Sequence, residues 1–152
     1  MKILLLSLFL FVGITVIAQT SFEKAMTEKV AQVEQQKTSD EFTALANDFK
    51  RIGDKEKTQW LPYYYAAFST IQKGRLAMRD GKMAELDAIA AEAQKSLDLA
   101  LNLNKDNAEN LILQKMIHSL KMMVDPQSRF MSEGMLAKEA LEKAEKADPT
   151  NP

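Results

Sequence analysis

Beyond residue 20, the apolar positions fall at steps of three and four, the spacing that gathers side chains on one face of an α-helix. Phe22, Met26, Val30 and Val33 mark a first amphipathic helix over about 21–37. Thr38-Ser39-Asp40 is a break rich in capping residues, and Phe42, Leu45, Ala46 and Phe49 set a second helix over about 39–52, ending near Gly53. A third, over about 58–73, carries Trp60, Tyr63, Tyr64, Ala67, Phe68 and Ile71, with Pro62 confined to its first turn. Gly74 and Gly81 bracket an expected loop, although Arg75 to Arg79 could also extend a helix.

The stripe resumes in a fourth helix over about 83–103, where Leu86, Ile89, Ala90, Ala93, Leu97, Ala100 and Leu101 form the buried face. Asp106 is the expected cap of a fifth over about 107–124, with Leu113, Met116, Ile117, Leu120 and Val124 facing inward. Asp125-Pro126 stops it. A sixth, over about 129–147, presents Met135, Ala137, Ala140, Leu141 and Ala144. No short alternating run bounded by turn residues competes, so the expected fold is all-α.

Two of these helices share a phrase 44 residues apart. Ala93-x3-Leu97-x2-Ala100 followed by Asn104-Lys105-Asp106-Asn107 returns as Ala137-x3-Leu141-x2-Ala144 followed by Asp148-Pro149-Thr150-Asn151. Small residues seven apart with a larger apolar one between them make a close-packing stripe, and a second copy implies stacked helical units.

On these residues helices three to six resemble tetratricopeptide repeats. Trp60, Tyr63, Tyr64 and Ala67 match the first-helix signature and Ala93, Leu97 and Ala100 the second; Leu111 and His118, then Ala137, Leu141, Ala144 and Pro149, repeat it. The run Trp60 to Ala67, with Val124-Asp125-Pro126-x-Ser128-Arg129, is also similar to a group of secreted bacterial tetratricopeptide-like proteins. The resemblance implies antiparallel helix pairs stacked as a short solenoid, with a partner groove lined by the first helices of the pairs. It would place Leu61, Tyr65, Phe68, Ile112, Met116 and Ser119 in that groove.

The 44-residue spacing exceeds the usual repeat, and the excess is expected as longer hairpin loops around residues 72–83 and 124–132. Lys115 stands where the family prefers a small residue, so its stem snorkels outward or the pair splays. In the resembling proteins a further repeat follows the Asp-Pro turn, so either Glu139, Glu142, Lys143 and Lys146 solvate a self-capping last helix or C-terminal repeats are missing.

Composition adds a compartment. Lys2, the apolar run Ile3 to Ile17 and Val16-Ile17-Ala18 read as a signal peptide over 1–18, cleaved after Ala18 and too short for a lasting membrane span. Periplasmic or secreted location follows, and with no cysteine the fold is held by packing alone. Loss of Lys2 takes the net charge from −1 to −2, a balance that suggests neither nucleic acid nor an anionic membrane as partner.

The search for chemistry narrows the function further. His118 is the single histidine, without the spaced partners of a metal site, and at its repeat position it reads as a packing residue. No nucleophile elbow or phosphate-binding glycine loop occurs, so the chain reads as a non-enzyme without cofactor or metal. Met116, Met122, Met123, Met131 and Met135 could hold Cu(I), but adaptable packing explains them more simply. The first expectation is therefore a protein- or peptide-binding scaffold of the cell envelope. The alternative is a small-ligand or glycan receptor using the Trp60 to Phe68 aromatic patch.

Overall fold

Helix upon helix, without a strand among the described residues, is the architecture of the computed structural model, which describes residues 21–150. The signal-peptide reading lies outside them. The order is α1 (21–30), α2 (Ser39–Glu56), α3 (Leu61–Arg79), α4 (Leu86–Leu103), α5 (Ala108–Val124), the short α6 (Pro126–Arg129) and α7 (Met135–Ala147). Short turns join successive long helices, so neighbours run in opposite senses. α3 packs between α2 and α4, and α5 packs on α4, α7 and α3.

Two apolar clusters hold this stack. Met26, Leu45, Phe49 and Ala66 join α1, α2 and α3, with Phe22, Val33 and Leu61 packed around them. The larger cluster takes the predicted stripes of α3, α4 and α5: Ile71, Leu86, Leu97, Leu113 and Ile117 are each at most 1% exposed. The repeated alanines do what their size allows. Ala93 and Ala100, then Ala137, Ala140 and Ala144, are buried where helices approach closely.

Most departures from the periodicity are at helix ends. The first helix stops at residue 30, because the chain tightens into a 3-10 turn at Val33–Gln35, with Gln35 and Gln36 side chains bonding back to the carbonyls of Ala31 and Gln32. Thr38 caps α2 reciprocally with Glu41, and α2 runs past Gly53 to a left-handed Lys57, φ 57°. Gly53 is there for another reason: a Cβ on it would lie 2.8 Å from the Tyr63 ring. Gly74 likewise breaks nothing. Its bare Cα lets Leu120 of α5 and Ile89 of α4 close in, 2.8 and 3.3 Å from where a Cβ would sit, so the expected loop is helix to Arg79.

The fifth helix is capped by Asn107, not Asp106; the Asn107 side chain accepts from the Asn110 amide at 3.0 Å. The fully buried Asn110 then donates to the Asn104 carbonyl, pinning the α4–α5 turn. No long hairpin loops project. The extra residues of the repeat lengthen α3 and fill 126–134, where α6 passes into a π-helical turn at Phe130–Gly134. That insertion also leaves Met135 62% exposed rather than inside, with Leu141 half-buried.

Candidate functional site

α3 lies between two cavities on one face of the molecule. The first, of about 750 Å³, opens between residues 30–36 and α3 and is walled by Val30, Val33, Phe42, Tyr64, Tyr65 and Phe68. The second, of about 350 Å³, opens between α3 and α5 and is walled by Met78, Ile112, Met116, Ser119 and Met123. Arg75, two turns beyond Phe68, lines both. Spacing explains the division: on α5, residues 112, 116, 119 and 123 form one helical stripe, beside the buried stripe of 113, 117 and 120.

The aromatic wall is ordered by ring contacts. Tyr65 stacks on Phe49 with centroids 5.1 Å apart, and its edge meets Tyr64 at the same distance, 5.1 Å and 87°. Tyr64 lies nearly parallel to Phe68, 6.3 Å away, while Trp60 meets it edge-on. Rings fixed by one another present flat apolar surface without loss of rotamer freedom on binding. The Tyr64 hydroxyl donates to Glu109 at 3.4 Å, and burial, reinforced by that carboxylate, pushes its pKa well above the usual tyrosine value. Tyr64 is therefore a neutral residue that packs against the main core cluster and lines the cavity at once. Tyr63 is the one that turns inward, donating to Asp54; burial and that carboxylate also raise its pKa.

The six residues expected in a groove divide between these places. Tyr65 and Phe68 line the first cavity and Ile112, Met116 and Ser119 the second, whereas Leu61 packs against the Met26–Phe49 cluster and faces neither. Sequence reasoning did not name Arg75 or Met78 as site residues; of its two readings of residues 75–79, loop or helix extension, the extension is the one that brings both to the cavities. Lys115 lines the second cavity and is half-buried.

A third and larger cleft, of about 1010 Å³, lies on the other flank of α5. Leu101 and Asp98 of α4 and Leu136 and Glu139 of α7 wall it, and Leu111, Gln114 and His118 form its floor. Two of its polar residues, Gln114 and His118, are already bonded within the fold. Gln94 and Gln114 exchange amide hydrogen bonds at 2.8 and 2.9 Å, Gln114 meets His118 Nε2 at 3.0 Å, and His118 Nδ1 meets Glu133 at 2.7 Å. His118 is thus a linking residue between α5 and the π-turn, with no nucleophile at either nitrogen. The methionines are dispersed: Met116 and Met123 line the α3–α5 cavity, Met122 lies against Gly134, and Met131 and Met135 are exposed. No group of three His, Cys, Asp or Glu among the described residues could hold a metal ion. No described helix is long and apolar enough to cross a membrane.

No protein-family model matches the chain, and no curated protein matches it. Among solved structures it is similar to the HusA haemophore from Porphyromonas gingivalis, with 31% sequence identity and a TM-score of 0.75 over 86% of this chain. The match spans 62% of the haemophore's own length.

Proposed function

We propose that the chain is a non-enzymatic binding protein for haem or a related flat tetrapyrrole, taken up on the face formed by residues 30–36, α3 and α5. The observation that carries this reading is the wall of mutually fixed rings, Tyr64, Tyr65 and Phe68, continued by the thioethers of Met78, Met116 and Met123. A flat, polarizable, largely apolar ring is the ligand such a wall stabilises best, through stacking and sulfur contacts. The likeness to a haemophore supports the same ligand class. It favours the small-ligand alternative over the peptide scaffold, while the packing of α5 on both α3 and α4 supports a tetratricopeptide-like stack as its frame. The signal-like residues 1–18 support a site of action outside the cytoplasm.

Titration with haem, followed by the Soret absorbance, tests the proposal. A saturable, stoichiometric spectral change is expected, and Tyr65→Ala with Phe68→Ala together weaken it at least tenfold. A spectrum that never saturates, or unchanged affinity in the double variant, overturns it.

A further inference from the structure

The cavity between α3 and α5 is lined by nine residues, of which two are charged, and both are cations: Arg75 and Lys115. Neither side chain has a hydrogen bond or ion pair with a described residue. Several cations on the same helices and their neighbours do have acidic partners within the fold. Lys73 meets Glu92 of α4, Lys29 of α1 meets Asp48, and Arg129 grips Asp87 with both guanidinium nitrogens. Arg75 is exposed and Lys115 half-buried, and the two stand on facing helices around a cavity walled by Met78, Ile112, Met116 and Met123. The two cations gain a partner when an anion enters.

We propose that Arg75 and Lys115 form a carboxylate-reading subsite, which selects amphiphilic ligands carrying free carboxylates along one edge of an apolar body. The guanidinium offers a planar fork that a carboxylate fills with two hydrogen bonds, and the ammonium offers a mobile point charge for a second oxygen or a second carboxylate. The apolar body then lies on the methionine wall, or on the aromatic wall across α3, since Arg75 reaches both cavities. The subsite rests on the tetrapyrrole reading only for the shape of that body.

The experiment compares haem with haem dimethyl ester, and adds dodecanoate as a carboxylate with no ring, all titrated into the intact chain at low and high salt. The ester is expected to bind about tenfold more weakly than haem, about 1.4 kcal/mol. Arg75→Gln with Lys115→Gln lowers haem affinity by about the same factor, leaves the ester unchanged, and removes the salt dependence. Arg79→Gln, an exposed arginine paired with its neighbour Asp80 and outside both cavities, is the control and alters none of these. Equal binding of acid and ester, or a variant that weakens both alike, overturns the subsite. If haem fails to bind but dodecanoate binds and is lost in the double variant, the subsite stands and the tetrapyrrole reading falls. If neither ligand binds, both fall.

Discussion

On one flank of α5, Ile112, Lys115, Met116, Ser119 and Met123 look into a cavity of about 350 Å³; on the other, Leu111, Gln114 and His118 floor a cleft of about 1010 Å³. In the larger opening Gln114 and His118 are engaged in the Gln94–Gln114–His118–Glu133 chain, Lys143 is paired with Glu139 at 2.8 Å, and charges of both signs line it, Asp98, Lys105 and Asp106 among them. The smaller contains apolar wall and two cations with no partner. Size therefore ranks the two flanks in the opposite order from chemistry. A group already satisfied within the fold has little to gain from a ligand, whereas an unpaired charge beside apolar surface gains both a partner and desolvated contact.

The comparison can be broken at four levels of energy. The largest effect belongs to the wall both openings share: Ile117→Ala, fully buried on α5, should lower unfolding free energy by about 2–5 kcal/mol in urea titrations. A loss well under 1 kcal/mol would mean α5 is not the rigid divider described. Next comes the contrast between flanks. Tyr65→Ala with Phe68→Ala should cost at least tenfold in haem affinity, roughly 1.4 kcal/mol, while Leu101→Ala with Leu136→Ala should leave it unchanged. The reverse pattern would move the site to the larger cleft.

The third level is the polar chain. Glu133→Gln should cost about 1 kcal/mol of stability, because it replaces a half-buried charge-assisted bond to His118 by a neutral one, with haem affinity unaffected. A change in affinity without one in stability would assign that chain to binding. The smallest effect lies at the edge of α4, where a hydrogen bond from Arg129 holds the Asp87 carboxyl below the usual carboxylate range. A carboxyl depressed in the folded state contributes stability above its unfolded value of about 3.9 and loses it as pH falls through the lower folded value. Asp87→Asn should barely shift the denaturation midpoint at pH 7, and even that difference should close below about pH 3.9. A gap that widens in acid would show that the pair is not what couples α6 to α4.

The helices were legible because burial follows period, and Leu97, Ala100, Leu113 and Ile117 lie inside where their spacing puts them. Gly74 was misread for a reason its own neighbours supply: in isolation a glycine signals a break, but opposite Leu120 it is the residue that lets α3 and α5 approach. Asp106 and Asn107 both have capping side chains, and local sequence does not choose between them; the buried Asn110, whose amide Asn107 receives, does. Tyr65 and Phe68 line one cavity and Ile112, Met116 and Ser119 another, where the repeat phase puts all five in one groove. Leu61 lines neither, because it sits in the first turn of α3 beside α1 and α2, whose packing the phase does not specify. Arg75 was illegible for a deeper reason. What distinguishes it is that no carboxylate among the described residues comes within ion-pair distance of it, although Glu34 lines the same cavity, and a sequence full of acids conceals that.

The π-helical turn at Phe130–Gly134 acts on the chain as a phase shifter. A π-turn holds one residue more than the α-helical path it replaces, and each residue is worth about 100° of rotation. The direction in which Ala137, Ala140 and Ala144 point is therefore set by an event completed before α7 begins. Excising a single residue from this turn would alter no side chain of α7, yet it would swing that alanine stripe off α5 and bring Lys138 or Leu141 round toward it. The last helix thus owes its inward face to an arithmetic of positions upstream as much as to its own alphabet.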